Sequence, residues 1–359
     1  MGLFDKLKKV VVEAAEPKKP QVTITTAFSI NDSQDEIMPI EKRIKNQKPV
    51  CDGLYPHEVL VLSYAPTYYK GKTDIPGFWW YQYGIKDVAG ILDSLKNRGY
   101  INIGTTADAI KLEKLTSIKG ELQKRGLKVS GKKADLVARL VENVDENELA
   151  AVFTKRPYAL TENGETVLNN SEWIPYIHKH AIEDLNIWNL TDLMQTSTTR
   201  NYRDVIWGYL NNRSMSHAKN GNLGLYRNCR FEMSEFVAEE GKLQNAFQLL
   251  CEVIAYDLIG APNNYRSQDL KMHLSYLFPY DSSLGTLAPG VVSRAQKLAE
   301  SFGWTEQEFR DQIETEIKKI SVPFTVFTPI ECADIVLAEI KTDKTALKTI
   351  YSKAEKRMN

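Results

Sequence analysis

The sequence lacks the cysteine pairs and long apolar runs that mark several classes of protein. Its cysteines, Cys51, Cys229, Cys251 and Cys332, lie far apart and form no CxxC pair. This spacing offers neither a zinc knuckle nor a disulfide framework, so we expect reduced thiols. No run approaches the roughly 18 consecutive apolar residues of a membrane span, and no apolar signal core follows Met1. We therefore expect a cytoplasmic protein with no stable membrane association.

The sequence also lacks net charge and recognisable catalytic motifs. Its 46 Lys and Arg residues balance 46 Asp and Glu residues. This balance excludes a protein that coats nucleic acid along its whole surface, but not one with a local basic patch. There is no P-loop, HExxH or GxSxG motif. We expect a non-enzymatic protein without a cofactor, although a nuclease whose metal-binding carboxylates lie on separate strands stays open as an alternative.

Two segments carry side chains that could serve as binding platforms or ligands. From Leu54 to Tyr83 the chain is aromatic, and a stack of rings could hold bases. No basic residue interleaves with Phe78 to Tyr83, so the sequence favours an aromatic core there. His178 and His180 have a spacing that suits one face of a strand. No third ligand follows at a recognised spacing, so we expect no metal site.

The chain reads as a mainly α, multi-domain protein. We predict five segments: an N-terminal helix and linker (1–50), an aromatic-rich region (51–110), a lysine-rich module (111–150), a continuation of the region that precedes the module (151–184) and a helical C-terminal domain (185–359). The N-terminal helix, over Met1 to Glu13, is short and amphipathic, and such a helix binds lipid weakly. The C-terminal domain is predicted from apolar residues that recur at helical spacing between Gly and Pro breaks.

Residues 112–141, LEKLTSIKGELQKRGLKVSGKKADLVARLV, carry the most informative pattern. The apolar face of a first helix is predicted from three residues at helical spacing: Leu115, Ile118 and Leu122. Thr116 is the predicted N-cap. Gly126 supplies a helix stop that tolerates positive φ, and Leu127 tucks beneath the turn.

A second helix is predicted after Ser130, which would provide its cap, and Gly131, which allows close backbone approach. Its inward face is formed by Leu136, Val137, Leu140 and Val141. The whole pattern resembles the SAP motif, a helix-extended-helix DNA-binding module. The resemblance covers about a tenth of the chain and rests on these positions: Leu115, Lys119, Leu122, Gly126, Leu127, Gly131, Lys133, Leu136, Arg139 and Leu140.

The SAP-like segment is strongly basic. Between Lys111 and Val144, nine basic residues face four acidic ones. Backbone N–H groups at the start of the second helix, with Lys132 and Lys133, form a predicted anion site whose natural ligand is phosphate. The resemblance implies contact with duplex DNA and a preference for AT-rich sequences. The predicted DNA-binding residues are Lys119, Lys124, Arg125, Lys128, Gly131, Lys132, Lys133 and Arg139.

Other interpretations of this module stay open. A lysine-rich helix surface is usually solvated, and related helix-extended-helix modules bind proteins. Asp145 to Asp184 carries eight acidic residues against three basic ones, so it could cover the basic face. Arg139 could pair with Asp135 across one helical turn, which would remove it from any DNA contact.

Two segments that flank the module resemble parts of a winged-helix protein. Leu92 to Ile101 looks like the last helix and first wing strand of that family, and Tyr158 to Leu168 is similar to the returning strand and following helix. In a winged helix a short hairpin joins the two strands, whereas here more than fifty residues intervene. The resemblance predicts a winged-helix-like region that the SAP-like module interrupts.

The C-terminal half carries a second basic segment. Between Arg200 and Arg230, six basic residues and several aromatic ones accompany a single acid, a mixture that suits nucleic acid. Phe231 to Asp257 is acidic, however, and we predict that the two segments pair with one another. One helical hairpin in this half resembles the tetratricopeptide spacing, at Phe236, Gly241, Ala246, Leu250 and Val253.

The FWWYQYG segment at Phe78 to Gly84, the SAP motif and the EEGKLQNAF segment at Glu239 to Phe247 look like SAP-containing proteins of Gram-positive bacteria and their prophages. We predict a protein whose SAP module contacts duplex DNA through phosphates and whose C-terminal helical domain binds a protein partner. The main alternative is a structural or interaction protein in which the SAP-like module serves only for packing.

Overall fold

The computed structural model describes residues 37–261, 270–278 and 280–358, and it is mainly helical, as predicted. The predicted N-terminal helix lies outside the described residues. The rest divides into two compact units between Tyr202 and Arg203. This division differs from the predicted boundary after residue 184, because the helix over Ile187–Thr196 packs against other helices of the N-terminal unit.

The N-terminal unit consists of short helices and one pair of short strands. In chain order its elements are α1 (Ile40–Arg43), α2 (Pro56–Tyr64), α3 (Phe78–Tyr81), α4 (Val88–Asn97), β1 (Ile101–Ile103), α5 (Thr106–Leu112), α6 (Leu115–Lys124), α7 (Lys133–Asn143), α8 (Glu146–Val152), β2 (Tyr158–Leu160), α9 (Glu162–Asn169), α10 (Trp173–Lys179) and α11 (Ile187–Thr196). Helix α2 lies at the centre of the unit. Most of its residues are buried, and α4, α9, α10 and α11 pack against it.

The two strands pair although the lysine-rich module lies between them in the sequence. Strand β1 runs antiparallel to β2, with Ile101 opposite Leu160 and Ile103 opposite Tyr158. The Thr161 hydroxyl, which also caps α9, donates to the carbonyl of Gly99 at 2.7 Å and so ties α9 to the turn before β1. The two segments predicted to be neighbours are therefore paired.

The aromatic segment contributes core residues, as predicted, but Tyr81 is 62% exposed. Trp79 and Tyr68 are each 1% exposed, and the Trp79 indole N–H donates to the Tyr68 hydroxyl at 2.8 Å. Both ring nitrogens of His178 form hydrogen bonds with tyrosine hydroxyls, Nε2 with Tyr64 at 2.9 Å and Nδ1 with Tyr83 at 2.6 Å. Burial lowers the pKa of His178. His178 lies on helix α10 rather than on a strand, so the predicted strand geometry of the histidine pair is wrong.

The C-terminal unit is helical throughout its described residues, apart from loops and a short 3₁₀ turn. Its helices are α12 (Tyr202–Lys219), α13 (Leu223–Glu239), α14 (Leu243–Asp257), α15 (Leu270–Leu277), α16 (Pro289–Phe302), α17 (Glu306–Ile317), α18 (Pro329–Lys341) and α19 (Lys344–Met358). Helices α13 and α14 form the predicted hairpin, which turns at Gly241 with a φ of 74°. The Ser234 hydroxyl donates to the Ala246 carbonyl at 2.7 Å, so the two helices approach closely.

Candidate nucleic-acid interface

Helices α6 and α7 and the loop between them, residues 115–143, form the two-helix module that the sequence predicted. Ile118 and Leu122 of α6 are fully buried. Gly126 ends the helix with a φ of 67°, a conformation that suits glycine. The N–H of Leu127 then donates to the Leu122 carbonyl at 2.9 Å, and the Leu127 side chain packs against the core.

Two further helices, α5 and α8, complete a small core around the module. Neither segment was predicted to be helical. The apolar residues buried together in this core come from all four helices and the residue after α8: Ala109, Ile110, Ile118, Leu122, Leu136, Val137, Leu140, Leu149 and Phe153. Two helices alone bury too little apolar surface to be stable, and the flanking helices supply the rest. The Lys133 ammonium also donates to the Lys111 carbonyl at 2.6 Å, which links α7 to the end of α5.

The four helices are inserted between the paired strands, which we call the stem: β1, β2 and residues 104 and 157. At the stem the Gly104 N–H donates to the Pro157 carbonyl at 2.7 Å. A Cβ added at Gly104 would lie 2.9 Å from that oxygen, so the close approach requires glycine. Both ends of the inserted module are therefore held side by side by backbone hydrogen bonds.

The loop between α6 and α7 is closed by Arg139. Its guanidinium Nη1 donates to the carbonyls of Lys128 and Ser130. Asp135 instead accepts from the backbone N–H of Lys132 at 3.0 Å and caps the start of α7. The open alternative in which Arg139 pairs with Asp135 is therefore wrong, because each side chain is bonded to the loop backbone.

The structure separates the eight predicted DNA-binding residues into two groups. Lys119, Lys128 and Lys132 are exposed, and among the described residues no ion pair engages their ammonium groups. Gly131 is also exposed and has a φ of 131°, where its missing side chain leaves room for the Asp135 carboxylate. These four form the open part of the predicted site.

The other four predicted residues have partners within the module. The Lys124 ammonium lies 2.6 Å from a Glu121 carboxylate oxygen, and the Arg125 guanidinium contacts the other oxygen. These two cations lower the pKa of Glu121, the Lys124 hydrogen bond being the larger cause. Lys133 and Arg139 donate to backbone carbonyls, which orients the side chains but leaves their positive charges unneutralised. Lys124 is 72% exposed and its ion pair is weak, so it is available to a ligand as well.

Several local details of the predicted module are wrong. The N-cap of α6 is Lys114 rather than Thr116, and α7 begins after Lys132 rather than after a Ser130 cap. Asp135, inside the first turn of α7, takes the capping role that was predicted for Ser130. Val141 is 44% exposed and Leu115 is 42% exposed, so the apolar stripes are narrower than predicted.

Three of the six basic residues between Arg200 and Arg230 pair with acids of the segment from Phe231 to Asp257, as predicted. The Arg227 guanidinium forms two hydrogen bonds with buried Asp257, at 2.5 and 2.7 Å. Arg203 contacts Glu239 and Glu240 at the end of the same hairpin. A third arginine, Arg230, binds Glu252. These three arginines stabilise the α13–α14 hairpin and are thereby removed from the candidates for phosphate contact.

Residues 114–145 match the family model of the SAP domain. The match contains α6, α7 and the basic positions, and ends before α8. SAP domains are generally DNA-binding modules. No curated protein and no solved structure matches the chain significantly. Over the residues that the structure describes, no helix could span a membrane, and no cluster of His, Cys, Asp or Glu side chains could hold a metal ion.

Proposed function

We propose that the protein is a non-enzymatic DNA-binding protein whose SAP domain contacts the phosphates of duplex DNA. The observation that carries the proposal is the open surface of the matched segment, where Lys119, Lys128 and Lys132 are exposed and form no ion pair with any described residue. Lysine ammonium groups bind phosphate as point charges and carry no base information. The module therefore positions the protein on a duplex, and any preference for AT-rich DNA comes from groove shape.

The N-terminus of α7 contributes a second attraction for phosphate. Helix dipole and backbone N–H groups favour an anion there, and Lys132 and Lys133 flank the position. Asp135 already accepts one of the N–H groups, so the side-chain charges supply most of the attraction. Few phosphate contacts are available in such a small module, and we expect weak binding that falls steeply with salt.

A salt titration of duplex binding tests this proposal. The full chain and its Lys119→Ala/Lys128→Ala/Lys132→Ala variant are titrated with a fluorescent duplex at about 50 and 200 mM salt. Each lost phosphate contact lowers the slope of log affinity against log salt by about 0.9, so the slope should fall by about 2.7. Over this fourfold salt range the ratio of wild-type to variant affinity then shrinks by roughly 40-fold.

A matched variant controls for net charge. Lys45, Lys48 and Lys96 are exposed lysines of the same unit outside the matched segment, and their triple Ala substitution should leave the slope close to wild type. Wild-type protein that does not bind at low salt would contradict the proposal, as would equal effects of the two triple variants. Nicking of supercoiled plasmid in magnesium or manganese would contradict the non-enzymatic part.

A protein-interaction role for the module is favoured by its exposed apolar side chains. Leu115, Val129 and Val141 are 42%, 39% and 44% exposed. In that case the Leu115→Ser/Val141→Ser variant would lose binding to a protein partner, whereas the Lys119/Lys128/Lys132 variant would bind that partner like wild type. Duplex binding that survives the Ser substitutions and falls with the lysine substitutions favours the DNA function.

The finer architecture belongs to the same proposal. We propose that the paired strands with α4 and α9 form a winged-helix-like region interrupted by the SAP domain, and that the α13–α14 hairpin is tetratricopeptide-like and offers a surface to a protein partner. A cytoplasmic protein of a Gram-positive bacterium or its prophage is the context that the sequence resemblance supports. This partner-binding role is tested by comparing the proteins that co-purify with the full chain and with a variant substituted on the surface of the α13–α14 hairpin.

A further inference from the structure

Two chain segments that carry four cations meet beside the stem, outside the segment that matches the SAP family. Tyr69 forms an isolated antiparallel bridge with Pro157, and the Tyr158 N–H donates to the Tyr68 carbonyl at 2.9 Å. Lys70 follows Tyr69 and Arg156 precedes Pro157, and after a turn the Lys72 N–H donates to the Tyr69 carbonyl at 3.1 Å. The backbone positions of Lys70, Lys72, Lys155 and Arg156 therefore all lie within three residues of this one bridge. These residues are more than eighty positions apart in the sequence, so no sequence window reveals the cluster.

Aromatic rings, rather than acids, hold two of these cations. The Lys155 ammonium lies 5.4 Å from the centre of the Tyr69 ring, and the Lys72 ammonium lies 4.6 Å from that of Tyr68. A ring face attracts a cation but does not neutralise its charge. Lys72 also donates to the Thr67 carbonyl at 3.1 Å.

The cluster keeps a net positive charge. Among the described residues, none of the four cations lies within ion-pair distance of a carboxylate. Asp74 and Asp93 are the acids whose charge reaches the adjoining Tyr68 and Tyr158 and raises the pKa of each hydroxyl, although burial is the larger cause. Asp108 also lies against Gly104 of the stem, but it is paired with Lys111 at 2.9 Å. Against Asp74 and Asp93 the four cations keep an excess of positive charge, which attracts a polyanion.

One side of the cluster lies close to the inserted module along the chain. Phe153 is buried in the core of the inserted module, and Lys155 follows two residues later. Two residues span at most about 7 Å, so Lys155 lies at the base of the module. The backbone hydrogen bond between Gly104 and Pro157 fixes this base.

We propose that Lys70, Lys72, Lys155 and Arg156 form a second phosphate-contacting surface, the stem patch, for the duplex that the SAP domain binds. This inference rests on the proposed function and extends it to residues outside the family match. The stem patch adds phosphate contacts without base readout. It therefore strengthens binding to every duplex sequence alike and increases the salt dependence.

The test uses the full chain and a Lys70→Ala/Lys155→Ala/Arg156→Ala variant. Lys72 is left in place because its hydrogen bond to Thr67 and its contact with Tyr68 support the loop. The probe is a fluorescent duplex of about 25 base pairs, roughly 85 Å long, which exceeds one small domain. Three lost contacts should lower the salt slope by about 2.7, and the ratio of wild-type to variant affinity should shrink roughly 40-fold between about 50 and 200 mM salt.

The Lys45→Ala/Lys48→Ala/Lys96→Ala variant controls for the charge change. If the salt slope of the Lys70/Lys155/Arg156 variant equals that of this control, the stem patch is overturned. If the Lys119/Lys128/Lys132 variant still lowers the salt slope in that case, the proposed function stands. A slope lowered by the stem variant alone keeps the stem patch and overturns the SAP site. If the triple variant does not fold, the single Lys70→Ala substitution in the exposed loop replaces it, with an expected fall in slope of about 0.9.

Discussion

Replacing Asp257 by asparagine should strongly lower the free energy of unfolding of the α13–α14 hairpin. The carboxylate accepts from Nε and Nη2 of Arg227 at 2.5 and 2.7 Å. Arg227 is 8% exposed and Asp257 is 1% exposed, so water screens neither charge. Asp257 is also the last residue of α14, where the negative end of the helix dipole already disfavours a carboxylate. The two charges are therefore stable in the interior only together.

The magnitude follows from leaving the guanidinium without its counterion. Breaking a buried ion pair by removing one partner costs about 3–5 kcal/mol. The asparagine side chain would keep the shape and one neutral acceptor, so we expect a loss near the lower end, about 3 kcal/mol. Since domains are stable by roughly 5–15 kcal/mol, this is a large share of the total. Replacing both residues, as Arg227→Met/Asp257→Leu, should recover most of the loss, because buried pairs add little net stability over apolar side chains.

Hydrogen exchange measured by mass spectrometry separates the two units and gives the free energy of opening of α13 and α14. The matched control is Asp281→Asn, since Asp281 is 70% exposed beside Lys348 and should cost less than about 0.5 kcal/mol. Equal protection in the two variants would refute the buried-pair argument. Duplex binding of the Asp257 variant should equal wild type. Tighter binding would mean that a freed Arg227 reaches DNA.

Two further predictions concern the N-terminal unit. Arg139→Ala removes the guanidinium that closes the α6–α7 loop, so we expect the free energy of unfolding to fall by about 1–2 kcal/mol and the loop amides to exchange faster. Arg139→Lys should not restore either property, because an ammonium lacks the planar fork of the guanidinium. If Arg139→Ala exchanges like wild type but binds DNA more weakly, Arg139 is a phosphate ligand instead. Burial lowers the pKa of His57 to about 4, so as the pH falls His57 binds a proton in the unfolded state before it does so in the folded state. The contribution of His57 to the free energy of unfolding should therefore be complete above about pH 6.5 and should fall by roughly 3 kcal/mol down to pH 4. Chemical denaturation of His57→Leu should lack this part of the pH dependence, and a profile identical to wild type would contradict the assignment.

Local patterns in the sequence predicted most of the helical fold. The C-terminal unit is helical where apolar residues recur between Gly and Pro breaks, as in α16, which ends at Phe302 before Gly303. Apolar spacing and Gly126 likewise predicted α6, α7 and the turn between them. The caps were predicted less well, because Asp135 caps α7 from within its first turn, where an acidic residue looks like ordinary helix surface.

The roles of individual cations could not be predicted in the same way. A sequence window counts Lys119, Lys133 and Arg139 as equal charges. The structure separates them, because Lys133 reaches a carbonyl twenty-two residues away and Arg139 reaches carbonyls nine and eleven residues away, whereas the Lys119 ammonium is bonded to no described residue. The formal neutrality of the chain hides the same division. Basic residues near Arg227 are cancelled by contact with acids, whereas the exposed lysines of the SAP domain are not.

The insertion between paired strands determines how the SAP domain presents its charges. A module joined by one flexible linker must lose orientational freedom when it binds, which reduces affinity. Here both ends of the module are held by the Gly104–Pro157 hydrogen bond and the β1–β2 ladder, so its orientation within the N-terminal unit is set before binding. The stem patch consequently keeps a fixed position relative to Lys119, Lys128 and Lys132. If both surfaces contact one duplex, their losses of salt slope should add in the six-residue variant, with a total of about 5.4, and a sum well below this value would mean that the two surfaces compete for the same phosphates.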